Sequence, residues 1–370
     1  MAKLRANVSR CGVIAVLLVS LFGCSSVPKT KQPDMTAQQK LEQLLLSLPA
    51  VEKIEEWPLP EVVHDAGGSR LKIFTRHYEI CTTLTDPLIL RQLPVFLESA
   101  FRSYGQVVEL PVEAERKLLK VYFFETRQQW EDYTNYWAGR MAPSYLKIKS
   151  GAYYLNGASV AYKLSRQSNF SVLAHEGWHQ YVDEFFEYRM PAWLNEGLAT
   201  YFEAYDWQQG QVSFSAALNN SRLWDLKETM AKGRMFSVAD LLVLDAGKVL
   251  SHSHYRPADE KGDPQVAAYY AQIYALVRFL REYNYRQYEL DFRKMVGDGY
   301  KGDWPLEAGQ ENQAQNRKLP FTTQWNGAVG QLIFRYYIKT DISVIEQQYQ
   351  QFCLEILSRV RFGPKGMDKL

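Results

Sequence analysis

Two histidines four residues apart inside an apolar run constrain this chain more than any other feature. The segment reads Val172-Leu173-Ala174-His175-Glu176-Gly177-Trp178-His179-Gln180. On an α-helix, residues at this spacing lie about 40° apart around the axis and one turn along it, so both imidazoles reach a single ion. Zinc suits such a pair, because it accepts imidazole nitrogen and tolerates a four-coordinate site with one open position. Glu176 falls about 100° around from His175, close to the ion without competing as a ligand. That is where a base acting on metal-activated water must sit. Taken alone, the motif is also compatible with two satisfied core histidines.

A second segment supplies what the first lacks: Pro191-Ala192-Trp193-Leu194-Asn195-Glu196-Gly197-Leu198-Ala199-Thr200-Tyr201-Phe202-Glu203. A helix starting at Pro191 holds Glu196 in its second turn, and the short connection from 188 to 191 lets it fold back on the first helix. Two histidines and one carboxylate, with water, make a catalytic zinc set.

In these segments the chain resembles the gluzincin metallopeptidases, whose signature is H-E-x-x-H followed on the next helix by N-E-G or a similar triplet. The pairing of H-E-G-W-H with P-A-W-L-N-E-G-L-A-T-Y-F-E is most similar to the bacterial peptidase MA-like proteins and, more distantly, to aminopeptidase N. The resemblance implies His175, His179 and Glu196 as zinc ligands and Glu176 as the base. It also implies an α+β fold: a thermolysin/gluzincin-like catalytic domain with a mixed α/β upstream subdomain and a helical C-terminal half. It is specific over residues 150–280 and loose elsewhere.

Further along, Tyr270-Ala271-Gln272-Ile273-Tyr274-Ala275-Leu276-Val277-Arg278-Phe279-Leu280 matches the tyrosine-led helix of those peptidases. This implies that the Tyr270 hydroxyl donates to the oxyanion of a tetrahedral intermediate. By pattern alone, Tyr269, Tyr270 and Tyr274 read as packing residues of an amphipathic helix. Upstream, Gly151-Ala152-Tyr153-Tyr154-Leu155-Asn156 falls where the aminopeptidases carry G-x-M-E-N, an edge strand whose glutamate holds the substrate's α-amine. Here Tyr154 takes the glutamate's place. The strand keeps its main-chain hydrogen bonds for a peptide but lacks the amine anchor, so the expectation is an endopeptidase acting on peptide or protein, or a hydrolase of unusual amides. Asp183, one turn after His179, is either the acceptor for a histidine's second nitrogen or a solvated helix charge. Glu203 reads as structural.

The first ten residues carry Lys3, Arg5 and Arg10 without an acid, and the apolar run 12–22 follows. That run is too short to span a bilayer and reads as a secretory signal. Its end, Leu21-Phe22-Gly23-Cys24-Ser25-Ser26, resembles the lipobox of bacterial lipoproteins. The resemblance implies Cys24 as the acylated first residue of the mature chain, held in the membrane at about 0.8 kcal/mol per buried methylene. An ordinary cleaved signal and a short anchor are the alternatives. Ser25 after the cysteine is similar to lipoproteins passed to the outer membrane, so the expected location is the bacterial cell envelope, lipid-anchored at the outer membrane and facing the periplasm.

Charge fits that setting. The whole chain has 43 Lys+Arg against 41 Asp+Glu, and loss of residues 1–23 leaves 40 against 41. A strongly basic nucleic-acid binder is excluded on this balance. In an oxidising compartment Cys81 and Cys353 either pair or remain two buried thiols.

Composition and periodicity, with the resemblance, imply a division into a signal (1–23), a tether and helix (24–57), a mixed α/β subdomain with the substrate-aligning strand (58–165), a helical zinc-binding subdomain (166–290) and a helical C-terminal region (291–370). The spacing predicts helices over 36–48, 86–104 and 126–137, strands over 70–82 and 117–125, a helix capped by Ser168-Asn169 and reaching about 188, and another over 269–283. Two functions compete. One is a zinc metallopeptidase; the other is a zinc-binding envelope lipoprotein that holds peptide, polysaccharide or a partner protein without hydrolysis. Glu176 favours the enzyme, since a binding module has no need of the base.

Overall fold

The computed structural model describes residues 35–64, 70–108, 117–148, 151–252, 263–317 and 323–360. The export segment, Cys24 and the tether as far as residue 34 lie outside the described residues.

The fold is mixed α+β. Its upstream part is a six-stranded sheet of β1 (Lys53–Glu56), β2 (Leu71–Phe74), β3 (Tyr78–Thr82), β4 (Leu119–Phe124), β5 (Ala152–Leu155) and β6 (Ala158–Tyr162), in the spatial order β1-β2-β3-β4-β6-β5. β3, β4 and β6 run parallel, whereas β1, β2 and β5 pair antiparallel with their neighbours. Helix α1 (Ala37–Leu46) precedes the sheet. α2 (Pro87–Gly105) joins β3 to β4, and α3 (Arg127–Ala138) and the single turn α4 (Ala142–Tyr145) lie between β4 and β5.

The side-chain period of two sorts the sheet's residues between two cores. Ile80, Val121, Phe123 and Ala161 join the main core with α2 and with α5 (Arg166–Phe185), while Cys81, Phe124, Tyr153 and Val160 pack with Trp130 and Tyr133 of α3. A strand buried on both faces reads as an unbroken apolar run, which is why 117–125 stands out in the sequence.

Helices make up most of the remainder. After α5 come α6 (Ala192–Tyr201), the hairpin β7 (Tyr205–Gln208) and β8 (Gln211–Phe214), α7 (Asn220–Ala231), α8 (Val238–Leu241), α9 (Ala246–His252) and α10 (Pro264–Arg286). The chain continues through α11 (Glu289–Lys301), α12 (Ala308–Gln315), α13 (Thr323–Tyr337) and α14 (Ile342–Ser358). Along α10 every residue from Ala271 to Leu280 is buried, so this helix is the axle on which α6, α7 and α14 pack.

Close approach of α6 to α10 rests on Gly197. A Cβ there would meet Val277 Cγ2 at 2.5 Å and the Ile273 carbonyl oxygen at 3.0 Å. The glycine of the first motif plays a parallel part. At Gly177 a Cβ would meet the Tyr104 hydroxyl at 2.7 Å, and that hydroxyl donates to the Ala174 carbonyl at 2.7 Å. Each motif glycine thus admits a neighbouring element against the helix that carries the polar residues.

Several sequence expectations are corrected. The region 166–290 contains the β7–β8 hairpin as well as helices, and 24–57 contributes the edge strand β1. The strand expected over 70–82 is two strands, split by a turn in which the Thr75 N–H donates to Tyr78 O at 2.9 Å. Helix α5 starts three residues earlier than expected, because Ser165 Oγ rather than Ser168 takes the free N–H. Pro191 is the N-cap of α6 rather than its first helical residue. Cys81, in the sheet, and Cys353, in α14, are two free buried thiols and form no disulfide. They belong to different cores, one against α3 and the other against α10.

Candidate metal centre and cleft

Helix α5 presents His175 and His179 one turn apart, and α6 brings Glu196 to face both. Glu196 Oε2 lies 3.3 Å from His175 Nε2 and 3.5 Å from His179 Nε2. Ligand atoms about 2.0–2.1 Å from a tetrahedral ion stand about 3.3 Å apart, so these separations fit a shared ion. The same oxygen is buried and makes no hydrogen bond, which leaves its lone pair for a cation. This His175–His179–Glu196 group can hold a metal ion.

The electrostatics agree. Burial works to raise the Glu196 carboxyl, but the His179 and His175 imidazoles hold it far below the usual carboxylate range. Burial likewise works to lower His175, yet Glu196 and Glu203 beside it carry the imidazole up to about 10. Once both imidazoles have given up their protons, as metal ligation requires, the cluster of Glu176, Glu196, Glu203 and Arg222 carries three negative charges and one positive. A dication between the histidines brings it to neutrality.

His175 is oriented from behind. Its Nδ1 lies 3.0 Å from Glu203 Oε1, and Glu203 is clasped by Arg222 Nε and Nη2 at 2.9 and 2.7 Å and by Asn219 Nδ2 at 2.9 Å. Burial works against the Glu203 charge, but Arg222 and His175 keep the carboxyl near a pKa of about 2. A carboxylate on the far nitrogen fixes a ligand histidine's tautomer and raises its basicity. Asp183 does not play this part. It accepts from the Tyr154 hydroxyl and lies 3.8 Å from Arg317 Nη1, while His179 Nδ1 is buried without a hydrogen-bond partner. Glu203, expected to be structural, is thus the residue on the second nitrogen of His175, and of the two readings of Asp183 the acceptor role is not the one seen. Glu203 lies in the turn just after α6, seven residues beyond Glu196, and that spacing is the signal the sequence offers for it. Arg222 and Asn219 carry no such mark.

Glu176 points into the cleft. It lines a cavity of about 200 Å³ on the His175 side and one of about 190 Å³ on the His179 side. Burial raises its carboxyl above the ordinary value, against the opposing pull of the His175 and His179 imidazoles. Tyr270 lines the first of these cavities with its ring 6.5 Å from that of His175 and with the Arg222 guanidinium 5.1 Å over its face. The Glu196 charge and burial keep its phenol protonated far above the usual range, so it is a hydrogen-bond donor. The other two tyrosines are spoken for: Tyr269 donates to Leu244 O at 3.1 Å and Tyr274 to Ala216 O at 2.5 Å.

β5 is the edge of the sheet, paired with β6 on one side only. Gly151 and Ala152 line the cavity with His175, and Tyr154 lines the one with His179. Tyr153 points to the opposite face, where its hydroxyl donates to Thr134 Oγ1 at 3.0 Å. Of the four residues of the expected substrate strand, Tyr153 is therefore core. The C-terminal region, which by sequence carries no chemistry, brings Arg317 to the cavity on the His179 side.

A scan against family models and a search of curated proteins each find no match for this chain. Fold and site together define a mixed α+β protein with a His-His-Glu group that could hold a metal ion on two paired helices, open to a cleft beside a sheet edge.

Proposed function

We propose that the chain is a zinc-dependent metallopeptidase of gluzincin type, similar to the peptidase MA-like proteins, and that it cleaves peptide bonds within chains. The observation that carries this reading is the convergence of His175, His179 and Glu196 on one point with Glu176 beside it and the Tyr270 phenol across the cleft. The donor set, two imidazole nitrogens and one carboxylate oxygen, suits zinc with a position left open. When bound, zinc acts as a Lewis acid toward a carbonyl and makes water more acidic.

The protein's own groups do the rest. Glu176 accepts a proton from the attacking water and passes it to the departing amine, a role favoured by a carboxyl whose pKa burial has raised. Tyr270 donates to the carbonyl oxygen as negative charge gathers there. β5 offers main-chain groups along its open edge, and Tyr154, tied to Asp183, leaves no carboxylate on the strand to hold a terminal amine. That favours an endopeptidase over an aminopeptidase. The lipobox-like end of the signal segment supports anchoring at the bacterial envelope, with protein or peptide substrates met in the periplasm.

Digestion of an unbiased peptide library, with cut sites read by mass spectrometry, tests this. Cleavage should stop with o-phenanthroline and return with zinc. A zinc-loaded protein that cuts nothing would leave the binding-only alternative.

A further inference from the structure

The cavity of about 190 Å³ on the His179 side is smaller than sites for whole ligands, which commonly start at about 300 Å³, and it fits one unit of an extended chain. Helix α5 lines it, as do β5 through Tyr154 and α6 through Asn195 and Glu196, both packed on α5. Most of its polar side chains are already engaged. The Tyr154 hydroxyl donates to Asp183, while Arg317 donates to the Phe186 carbonyl and lies 3.8 Å from Asp183. Glu176, His179 and Glu196 serve as base and metal-holding residues in the function proposed for the cleft.

Asn195 is the exception. It is only 6% exposed, its Oδ1 is buried without a hydrogen-bond partner, and among the described residues no group pairs with its side chain. A buried amide oxygen left in this state loses its hydration without return, so such groups are few in native folds and call for an explanation. The helix gives none. Asparagine is a poorer helix former than alanine because its side chain competes for main-chain groups, and here it takes none of them.

The neighbouring strand edge supplies a partner of the right chemistry. A peptide laid along β5 pairs one row of its N–H and C=O groups with the strand and turns the other row away, where no strand receives it. A carboxamide carries both an acceptor and donors, so it complements one peptide group of that outer row.

We infer that Asn195 is a substrate-binding residue, and that its carboxamide takes the peptide group of the bound chain that lies in the His179-side cavity. This rests on the cleft being a peptide site, as proposed above; it does not require that the bound peptide be cut.

The test uses zinc-loaded Glu176→Gln protein, in which bound peptide stays intact, and the library peptide that it binds most tightly. Each main-chain amide of that peptide is replaced in turn by an ester, which removes one N–H and makes the carbonyl a poorer acceptor, and affinity is read by calorimetry. At one position the ester should raise Kd about tenfold. With Asn195→Ala added, the parent peptide should bind about tenfold more weakly, and that same ester should cost nothing further. Zinc should stay at one equivalent, which separates lost contact from damage to the adjoining Glu196. Should the alanine variant lose zinc, Asn195→Leu, closer in volume, repeats the cycle. Ester penalties that match at every position with and without Asn195 overturn the inference, as does the absence of any bound peptide. Cleavage of the parent by wild-type protein is scored separately: its absence removes the hydrolytic reading and leaves the coupling to Asn195 standing.

Discussion

His175 Nδ1 and Glu203 Oε1 stand 3.0 Å apart, and this contact ties the metal-binding group to a clasp of Arg222 and Asn219 outside it. Breaking the contact should loosen the ion rather than the fold. Glu203→Ala and Arg222→Met are each expected to lower zinc affinity by about 10- to 100-fold, measured by competition with a chromogenic chelator. Asp183→Asn, which leaves that clasp untouched, should not change the affinity.

Glu176 lines the cavities on both sides of the site without belonging to the His175–His179–Glu196 group, so its amide variant separates binding from chemistry. Glu176→Gln should keep zinc at one equivalent and lose about 10²- to 10⁴-fold in kcat. Metal content by atomic emission and turnover on the best library peptide check the two halves. Full activity in this variant would remove Glu176 from the base role.

Tyr269 and Tyr270, near the start of α10, should part company on mutation. Tyr270→Phe is expected to cost about 10²-fold or more in kcat with little change in KM, since its donor matters most as charge builds on the carbonyl oxygen. Tyr269→Phe, which loses only a bond to Leu244 O, should leave kcat alone and lower thermal stability modestly.

Gly197 has no room for a methyl group against Val277 and the Ile273 carbonyl. Gly197→Ala should destabilise the protein by about 1–3 kcal/mol, as overpacking does, and weaken zinc binding because Glu196 is the preceding residue. Denaturant unfolding with and without zinc measures both.

Burial pushes the Cys81 and Cys353 thiols up to about 12. At pH 8 a thiol of that pKa is only about one part in 10⁴ thiolate, against about a quarter for an ordinary one near 8.5. Iodoacetamide at pH 8 should therefore spare both sites in folded protein and label both in urea, as read by peptide mass spectrometry. The sign for stability follows: the unfolded thiols ionise first, so this contribution is full below about pH 8.5 and declines as pH rises toward 12.

How much of the fold and site is legible in the sequence differs by residue, for physical reasons. His175, His179 and Glu196 stand out because helical spacing alone brings them together once two helices pack. β4 and α2 stand out because their apolar periods are clean. The β7–β8 hairpin escapes a reading by pattern because Tyr205–Gln208 and Gln211–Phe214 are short, and neither holds a fully buried residue to mark a core face. Glu203 and Asp183 are easily given each other's importance because both lie at helical spacing from a ligand, and only the packing of α7 decides which one meets an imidazole. Arg222 and Arg317 reach the cleft through tertiary contacts that leave no local pattern.

Helix α6 holds Glu196, yet its N-cap is Pro191, which offers no side-chain hydrogen bond. The free N–H of Ala192 is taken by Asn326 Oδ1 at 2.8 Å, from a residue 134 positions further along the chain. A growing polypeptide therefore lacks this cap, worth about 1 kcal/mol to a helix start, until the penultimate described helix has been made. If the group holds zinc as proposed, a chain cut short before α13 keeps both histidines but presents Glu196 from a helix without this cap.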